Sequence, residues 1–218
     1  MKTNRVINKR KGIVFILSAP SGTGKTTVIS EVLERFRDIS LSVSYTTRAP
    51  RAGEAPGHDY HFISHTKFLA MTAKGEFAES ASVHGFFYGT PARTLNRAMA
   101  NGKDLFLDID VQGARQIKGK YPEAVSIFLL PPSWSELKRR LGGRATDDRA
   151  IIRRRLANAR REIRDVIQYD YYIVNSDIEE AVGTLAAIIM AERQKILRVT
   201  AWGIAPLRRS TKISYDYE

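Results

Sequence analysis

The stretch Gly12-Ile13-Val14-Phe15-Ile16-Leu17-Ser18-Ala19-Pro20-Ser21-Gly22-Thr23-Gly24-Lys25-Thr26 decides the fold. Gly12 to Ser18 is a continuous apolar run of strand length, as expected for a strand covered on both faces. Thr26 to Phe36 sets Val28, Val32, Leu33 and Phe36 on one helical face. Between strand and helix, Gly24-Lys25-Thr26 closes a G-x-x-x-x-G-K-[ST] phosphate loop, with Ala19 standing where the first glycine usually is. Gly22 and Gly24 let backbone N–H groups converge on phosphate oxygens without a Cβ in the way. The helix N-terminus adds a partial positive charge. Lys25 can reach the β- and γ-phosphates, and the Thr26 hydroxyl can hold Mg²⁺. The loop predicts a bound nucleoside triphosphate but does not name a reaction.

Outward from this loop, apolar runs alternate with amphipathic ones. Asp104 to Asp110 is a second buried-type strand ending in carboxylates. Val125 to Leu130 is a third, stopped by Pro131 and Pro132. Ser133 or Ser135 can cap a helix running to Leu141, and Gly142 and Gly143 break it. In the next helix, Ile152, Leu156, Ala159, Ile163 and Val166 share one face, while arginine crowds the other. Tyr171 to Val174 reads as a last strand and Ile178 to Leu197 as a long amphipathic helix. Ser40 to about Ala100 differs: its Thr, Tyr, Phe, Gly and Pro content reads as short strands and turns, a small inserted subdomain. The alternation predicts an α/β fold with a mainly parallel sheet.

Composition bounds the rest. A chain of 218 residues suits one core with insertions. With no cysteine, disulfide frameworks and thiolate metal sites are excluded. No apolar run approaches the ~20 residues that cross a bilayer. The basic start and short apolar run at the N-terminus mimic a secretory signal, but the run leads directly into the phosphate loop. The cytoplasm is therefore the expected location. The net charge of +12 attracts polyanions without choosing among nucleic acid, membranes and small phosphates. No nucleic-acid motif accompanies it.

The acceptor of the phosphoryl group is signalled downstream. Arg48 and Arg51, three residues apart with Pro50 stiffening the chain between them, can converge on one dianion through bidentate forks. The blocks SAPSGTGKTT, SVSYTTRAPRAGE, HDYHF, GEFAES, FFYGT, FLDIDVQGARQIK, LGGRATDD and YIVNSD follow in order from Gly12 to about Lys195. In these blocks the sequence resembles the guanylate kinase family. The resemblance implies a P-loop core, an inserted GMP-binding subdomain and an arginine-bearing lid. It implies Mg²⁺-dependent phosphoryl transfer from ATP to GMP, with neither nucleic acid nor membrane as partner. The expected division is a flexible basic arm at 1–11, core at 12–41, 101–138 and 166–198, GMP-binding subdomain at 42–100, lid at 139–165 and tail at 199–218.

By motif position the resemblance assigns the acceptor phosphate to Arg48, Arg51, Tyr60 and Tyr88. It assigns guanine to Ser44, Glu79, Thr90 and Asp110. Base chemistry agrees: guanine offers two donors, N1–H and N2–H, and one acceptor, O6. A carboxylate such as Glu79 can accept from both donors, and a hydroxyl such as Thr90 can donate to O6. Adenine would leave the carboxylate unpaired, and sites built on such pairing discriminate strongly.

ATP is expected on Ala19, Pro20, Ser21, Gly22, Thr23, Gly24, Lys25, Thr26 and Thr27, with Asn175 near adenine by resemblance. Asp108 and Asp110 end a strand at the ligand crevice, where a carboxylate can help hold Mg²⁺ through water. The resemblance gives Asp110 to guanine and leaves Asp108 to the metal. Arg140, Arg144 and Arg155 match the family's lid arginines, with Ala145 where glycine is more frequent. With Lys25 and Arg48 they form the expected catalytic set. The four histidines, at positions 58, 61, 65 and 84, suggest no metal set. Other readings are a catalytically silent interaction module, a nucleic-acid binder, or a kinase for AMP, UMP or dTMP. The intact loop, the missing motif and Glu79 argue against these in turn.

Overall fold

The structure, a computed structural model, describes residues 10–83, 85–142 and 149–198. Arg144, Ala145, His84, the arm up to residue 9 and the tail 199–218 lie outside the described residues. The first half runs β1 Val14–Ser18, α1 Lys25–Arg35, β2 Ile39–Leu41, β3 Tyr45–Thr46, β4 His61–Phe62, α2 His65–Ala73, β5 Phe77–Val83, β6 Phe86–Pro91 and α3 Ala92–Ala100. The second runs β7 Asp104–Asp108, α4 Val111–Lys120, β8 Val125–Leu130, α5 Trp134–Gly142, α6 Arg149–Arg164, β9 Tyr171–Val174 and α7 Ile178–Gln194.

Five strands form a parallel sheet in the order β2-β7-β1-β8-β9. The apolar run of β1 is buried throughout, and its alternation feeds two cores. Phe15 and Leu17 pack under α1 and α7 with Val28, Val32, Leu185 and Ile189. Val14 and Ile16 pack on the other face with Leu95 of α3 and Ala114 and Ile117 of α4. Each such side chain contributes roughly 1.5–3 kcal/mol by leaving water. This two-sided burial is why the run lacks polar alternation. A second sheet, β4-β3-β6-β5, lies between residues 45 and 91 and is mixed. A smaller cluster of Leu137, Leu141 and Ala159 joins α5 to α6.

Four expectations need correction. Residues 40–100 contain two nine-residue helices besides strands, α2 and α3. Ser64 caps α2 by accepting from the Lys67 amide at 3.2 Å. Strand β7 stops at Asp108, because Asp110 turns its carboxylate onto the Gly113 amide (2.9 Å) and caps α4. Helix α7 ends at Gln194, and Lys195 and Arg198 both fold back onto the buried Glu192. The basic arm is anchored at its end: Arg10 donates to both oxygens of Asp104, at 2.5 and 2.7 Å. Asp104 also accepts from the Ile13 amide and from Arg193 of α7. A fully buried carboxylate needs such partners.

Parallel pairing sets Leu17 opposite Asp108. The register therefore brings the start of the phosphate loop and the end of β7 to one edge of the sheet, where ligand crevices of open α/β sheets lie.

Candidate active site

The loop between β1 and α1 is closed by its own atoms. The Thr23 amide and hydroxyl both donate to the Pro20 carbonyl, at 3.2 and 2.8 Å. Gly22 and Gly24 have φ of 88° and 93°. A Cβ on Gly24 would also come within 2.7 Å of the Asn175 side chain. Both positions thus require glycine. Ala19 packs its methyl against the core, which is why a side chain fits there. Asn175 donates to the Thr23 carbonyl at 2.7 Å, and Arg140 reaches the same oxygen at 3.2 Å. Arg140 is steered by Glu136, which accepts from its Nε at 2.7 Å.

Lys25 opens α1 and forms an ion pair with Asp108. Lys25, Ser44, Tyr60, Glu79, Tyr88, Asp108 and Asp110 line one cavity. Seven of the residues singled out in the sequence, drawn from six separate segments, therefore face a common space. Thr90 and Arg48 contact residues of this lining. The Thr90 hydroxyl donates to Glu79 at 2.6 Å, and Ser44 Oγ lies 3.3 Å from it. Burial pushes the Glu79 carboxyl up to about 7; the Thr90 hydrogen bond opposes this and the nearby Asp110 charge adds to it.

The Arg48 guanidinium sits over the Tyr60 ring, 5.4 Å from its centroid, and the Tyr60 and Tyr88 rings meet edge to face at 5.8 Å. Burial, with the Asp108 charge nearby, pushes the Tyr60 phenol up to about 12. Arg51 is exposed, and its backbone amide is tied to Glu54. Arg155 is half-buried on α6. Thr26 and Thr27 are exposed at the start of α1. Among the described residues no three acidic or imidazole groups come together as a metal set.

Sequence reasoning missed four contributors. Glu54 grips Arg48 through two hydrogen bonds. Gly113 of α4 admits Glu79, since a Cβ there would lie 2.8 Å from Glu79 Oε2. Gln116 of α4 holds the Ser80 backbone through both its amide N–H and its carbonyl, securing β5 beside Glu79. Glu162 of α6 is half-buried and feels both Asp110 and Lys25, and burial raises its carboxyl. Only Glu54 had a local signal, a carboxylate three residues after Arg51.

This arrangement can bind a phosphate chain at the loop and hold a second, donor-bearing base at a buried carboxylate beside it. The family model for guanylate kinase matches residues 11–192. The guanylate kinase of Geobacter metallireducens is 53% identical over 191 residues, covering 88% of this chain and 94% of that protein. That of Nitrosomonas europaea is 50% identical over 185 residues, covering 85% and 92%. The crystal structure of guanylate kinase from Anaplasma phagocytophilum superposes with a TM-score of 0.76 at 38% identity, covering 91% of this chain and 94% of that one. The chain belongs to the guanylate kinase family, and it is a nucleoside monophosphate kinase that passes a phosphoryl group from ATP to GMP.

Proposed function

We propose that GMP occupies the cavity beside Lys25, with its base on Ser44, Glu79, Thr90 and Asp110 and its phosphate on Arg48, Arg51, Tyr60 and Tyr88. The observation that carries this is the buried Glu79 carboxylate, bonded to Thr90 and open to the cavity. A buried carboxylate seeks further donors, and guanine N1–H and N2–H supply two. ATP lies along residues 19–27, with Asn175 at the adenine side. Residues 42–100 act as the acceptor subdomain and 139–165 as the lid carrying Arg140, Arg144 and Arg155, closing over core segments 12–41, 101–138 and 166–198.

The GMP phosphate is itself the nucleophile, so no general base is needed and catalysis rests on positioning and charge. Two bound nucleotides bring about six negative charges, which Lys25 and the arginines offset. Lid closure excludes water and limits hydrolysis of ATP. Mg²⁺ fits the residues present: the exposed Thr26 hydroxyl and Asp108 can hold it, with nucleotide phosphates and water completing the shell. When bound, the ion neutralises β- and γ-phosphate oxygens. Until then Lys25 neutralises Asp108. No helix among the described residues is long and apolar enough to cross a membrane. The cytoplasm is the location proposed, in keeping with a chain free of cysteine.

The test is ADP release with Mg-ATP and GMP, AMP, UMP or dTMP as acceptor. Turnover with GMP far above the others supports the site as drawn. Equal turnover with AMP sinks the guanine assignment of Glu79 and leaves the donor site standing.

A further inference from the structure

Arg48 distributes its donors unevenly. Nη1 spends both hydrogens, one on Glu54 Oε2 at 2.9 Å and one on the Ala49 carbonyl at 2.7 Å. Nη2 spends one on Glu54 Oε1 at 2.8 Å. Glu54 thereby takes the end of the guanidinium opposite its stem. The other edge, Nε–H with the second Nη2–H, is the pair of parallel donors that fits two oxygens of a phosphate. Its Nε is buried and has no hydrogen-bond partner. A buried donor without an acceptor is costly, and an arriving oxyanion satisfies it.

Glu54 does more than hold one end. Its Oε2 also accepts from the Arg51 amide at 2.7 Å, so one carboxylate fixes the guanidinium of the first arginine and the backbone of the second. The Arg48 bond is the larger reason its carboxyl is held down to about 2, so it stays charged throughout the working pH range. The Tyr60 ring supports the guanidinium from one face. Rotation of Arg48 about its long stem, which would cost entropy on binding, is already removed.

We infer that Glu54 is a positioning residue for the acceptor phosphate: it locks Arg48 so that the Nε/Nη2 edge is presented to GMP, and it pins Arg51 alongside. This rests on the proposed role of Arg48. Glu54 turns both carboxylate oxygens onto Arg48 and the Arg51 amide, so its effect passes through the arginines.

A double-mutant cycle tests this. Steady-state kinetics are compared for the wild type, Glu54→Gln, Glu54→Ala, Arg48→Ala and the double variant Arg48→Ala/Glu54→Ala. Glu54→Ala should lower kcat/KM for GMP ~10–100-fold, through loss of a charge-assisted bidentate pair, with KM for ATP unchanged. Glu54→Gln can still accept one bond and should fall between Glu54→Ala and the wild type. In the Arg48→Ala background, Glu54→Ala should cost less than about 3-fold, because residues acting through one another are not additive. An equal loss in both backgrounds, or a Glu54→Gln protein with wild-type KM for GMP, overturns the inference while sparing the site. An Arg48→Ala protein with unchanged kcat/KM for GMP overturns the acceptor reading itself, and the inference with it. If Glu54→Ala does not fold, Glu54→Gln alone and a further double variant, Arg48→Ala/Glu54→Gln, close the same cycle and decide.

Discussion

Thr90 donates its hydroxyl to Glu79 across 2.6 Å, and both side chains are buried, Glu79 to 3% exposure and Thr90 completely. Thr90 is the residue that bonds the carboxylate, through its hydroxyl and its backbone, and the carboxylate still opens onto the cavity. In the free protein the burial costs charge: the Glu79 carboxyl sits at about 7 rather than 4.5. A raised acid stabilises the fold fully below its unfolded value and loses that contribution as pH rises through its folded one. Glu79→Gln should therefore be near neutral in thermal melts at pH 5 and stabilising at pH 8, by up to about 3 kcal/mol. The same variant should lose about 10²-fold in kcat/KM for GMP. A melting difference that does not change between pH 5 and 8 would show that Glu79 is not carrying a penalised charge.

Binding should also follow this titration. Guanine donors need the ionised carboxylate, so wild-type affinity for GMP should weaken as pH falls from about 7 to 6, by up to about tenfold. The GMP phosphate titrates in the same range. Glu79→Gln supplies the correction: the pH slope measured by calorimetry should be steeper in the wild type than in the variant.

Gly113 makes a sharper spatial test. A Cβ there would approach Glu79 Oε2 to 2.8 Å, whereas one on Gly119 of the same helix meets nothing within 4 Å. Helix propensity alone favours alanine at both positions by about 0.5–1 kcal/mol. Gly119→Ala should raise the melting temperature and leave kinetics alone. Gly113→Ala should raise KM for GMP several-fold, with KM for ATP unchanged. Matching behaviour of the two variants would mean that α4 does not shape the guanine pocket.

The parts of this site that were legible in the sequence are those whose chemistry is local. The phosphate loop needs a strand, glycines at set positions and a helix start, all within residues 12–36. Arg48 and Arg51 announce an anion by spacing. Glu79, Tyr60 and Tyr88 are unremarkable alone and were read only through the order of their motifs. Gly113, Gln116 and Glu162 stayed silent because they act from helices that packing brings to the cavity; Gln116 reaches Ser80 across 36 positions of chain. Helices α2 and α3 were hidden by nine-residue length within a Tyr-, Phe- and Pro-rich stretch. Such short helices draw their stability from tertiary contacts rather than propensity.

Lys25 pairs with Asp108, an ion pair made possible by the register of β1 on β7. The proposed donor role of Lys25 predicts that Lys25→Ala lowers kcat by ~10²–10³-fold, as removal of one preorganised cationic donor does, with far-UV circular dichroism unchanged. Asp108→Asn should leave KM for GMP close to normal and raise the Mg²⁺ concentration needed for half-maximal rate. An unchanged Mg²⁺ dependence would remove Asp108 from the metal.

Asp104 opens the strand that Asp108 closes, so it lies about 13 Å from the cavity at ~3.3 Å per residue. There it gathers Arg10, Arg193 and the Ile13 amide onto one fully buried carboxylate. Removing one member of a buried charge cluster strands the others, at a cost of about 3–5 kcal/mol. Asp104→Asn should therefore lower the melting temperature markedly, since Arg10 loses its anion and Arg193 keeps only the exposed Asp38. Arg10→Ala should cost less, because Arg193 still neutralises the carboxylate. Arg193 also pairs with Asp38 and lies over the Phe36 ring, so its loss should disturb more than one contact. At temperatures where each variant is folded, kcat and both KM values should match the wild type. A kinetic defect in folded Asp104→Asn would mean that the far edge of the sheet is coupled to the site, contrary to a role confined to stability.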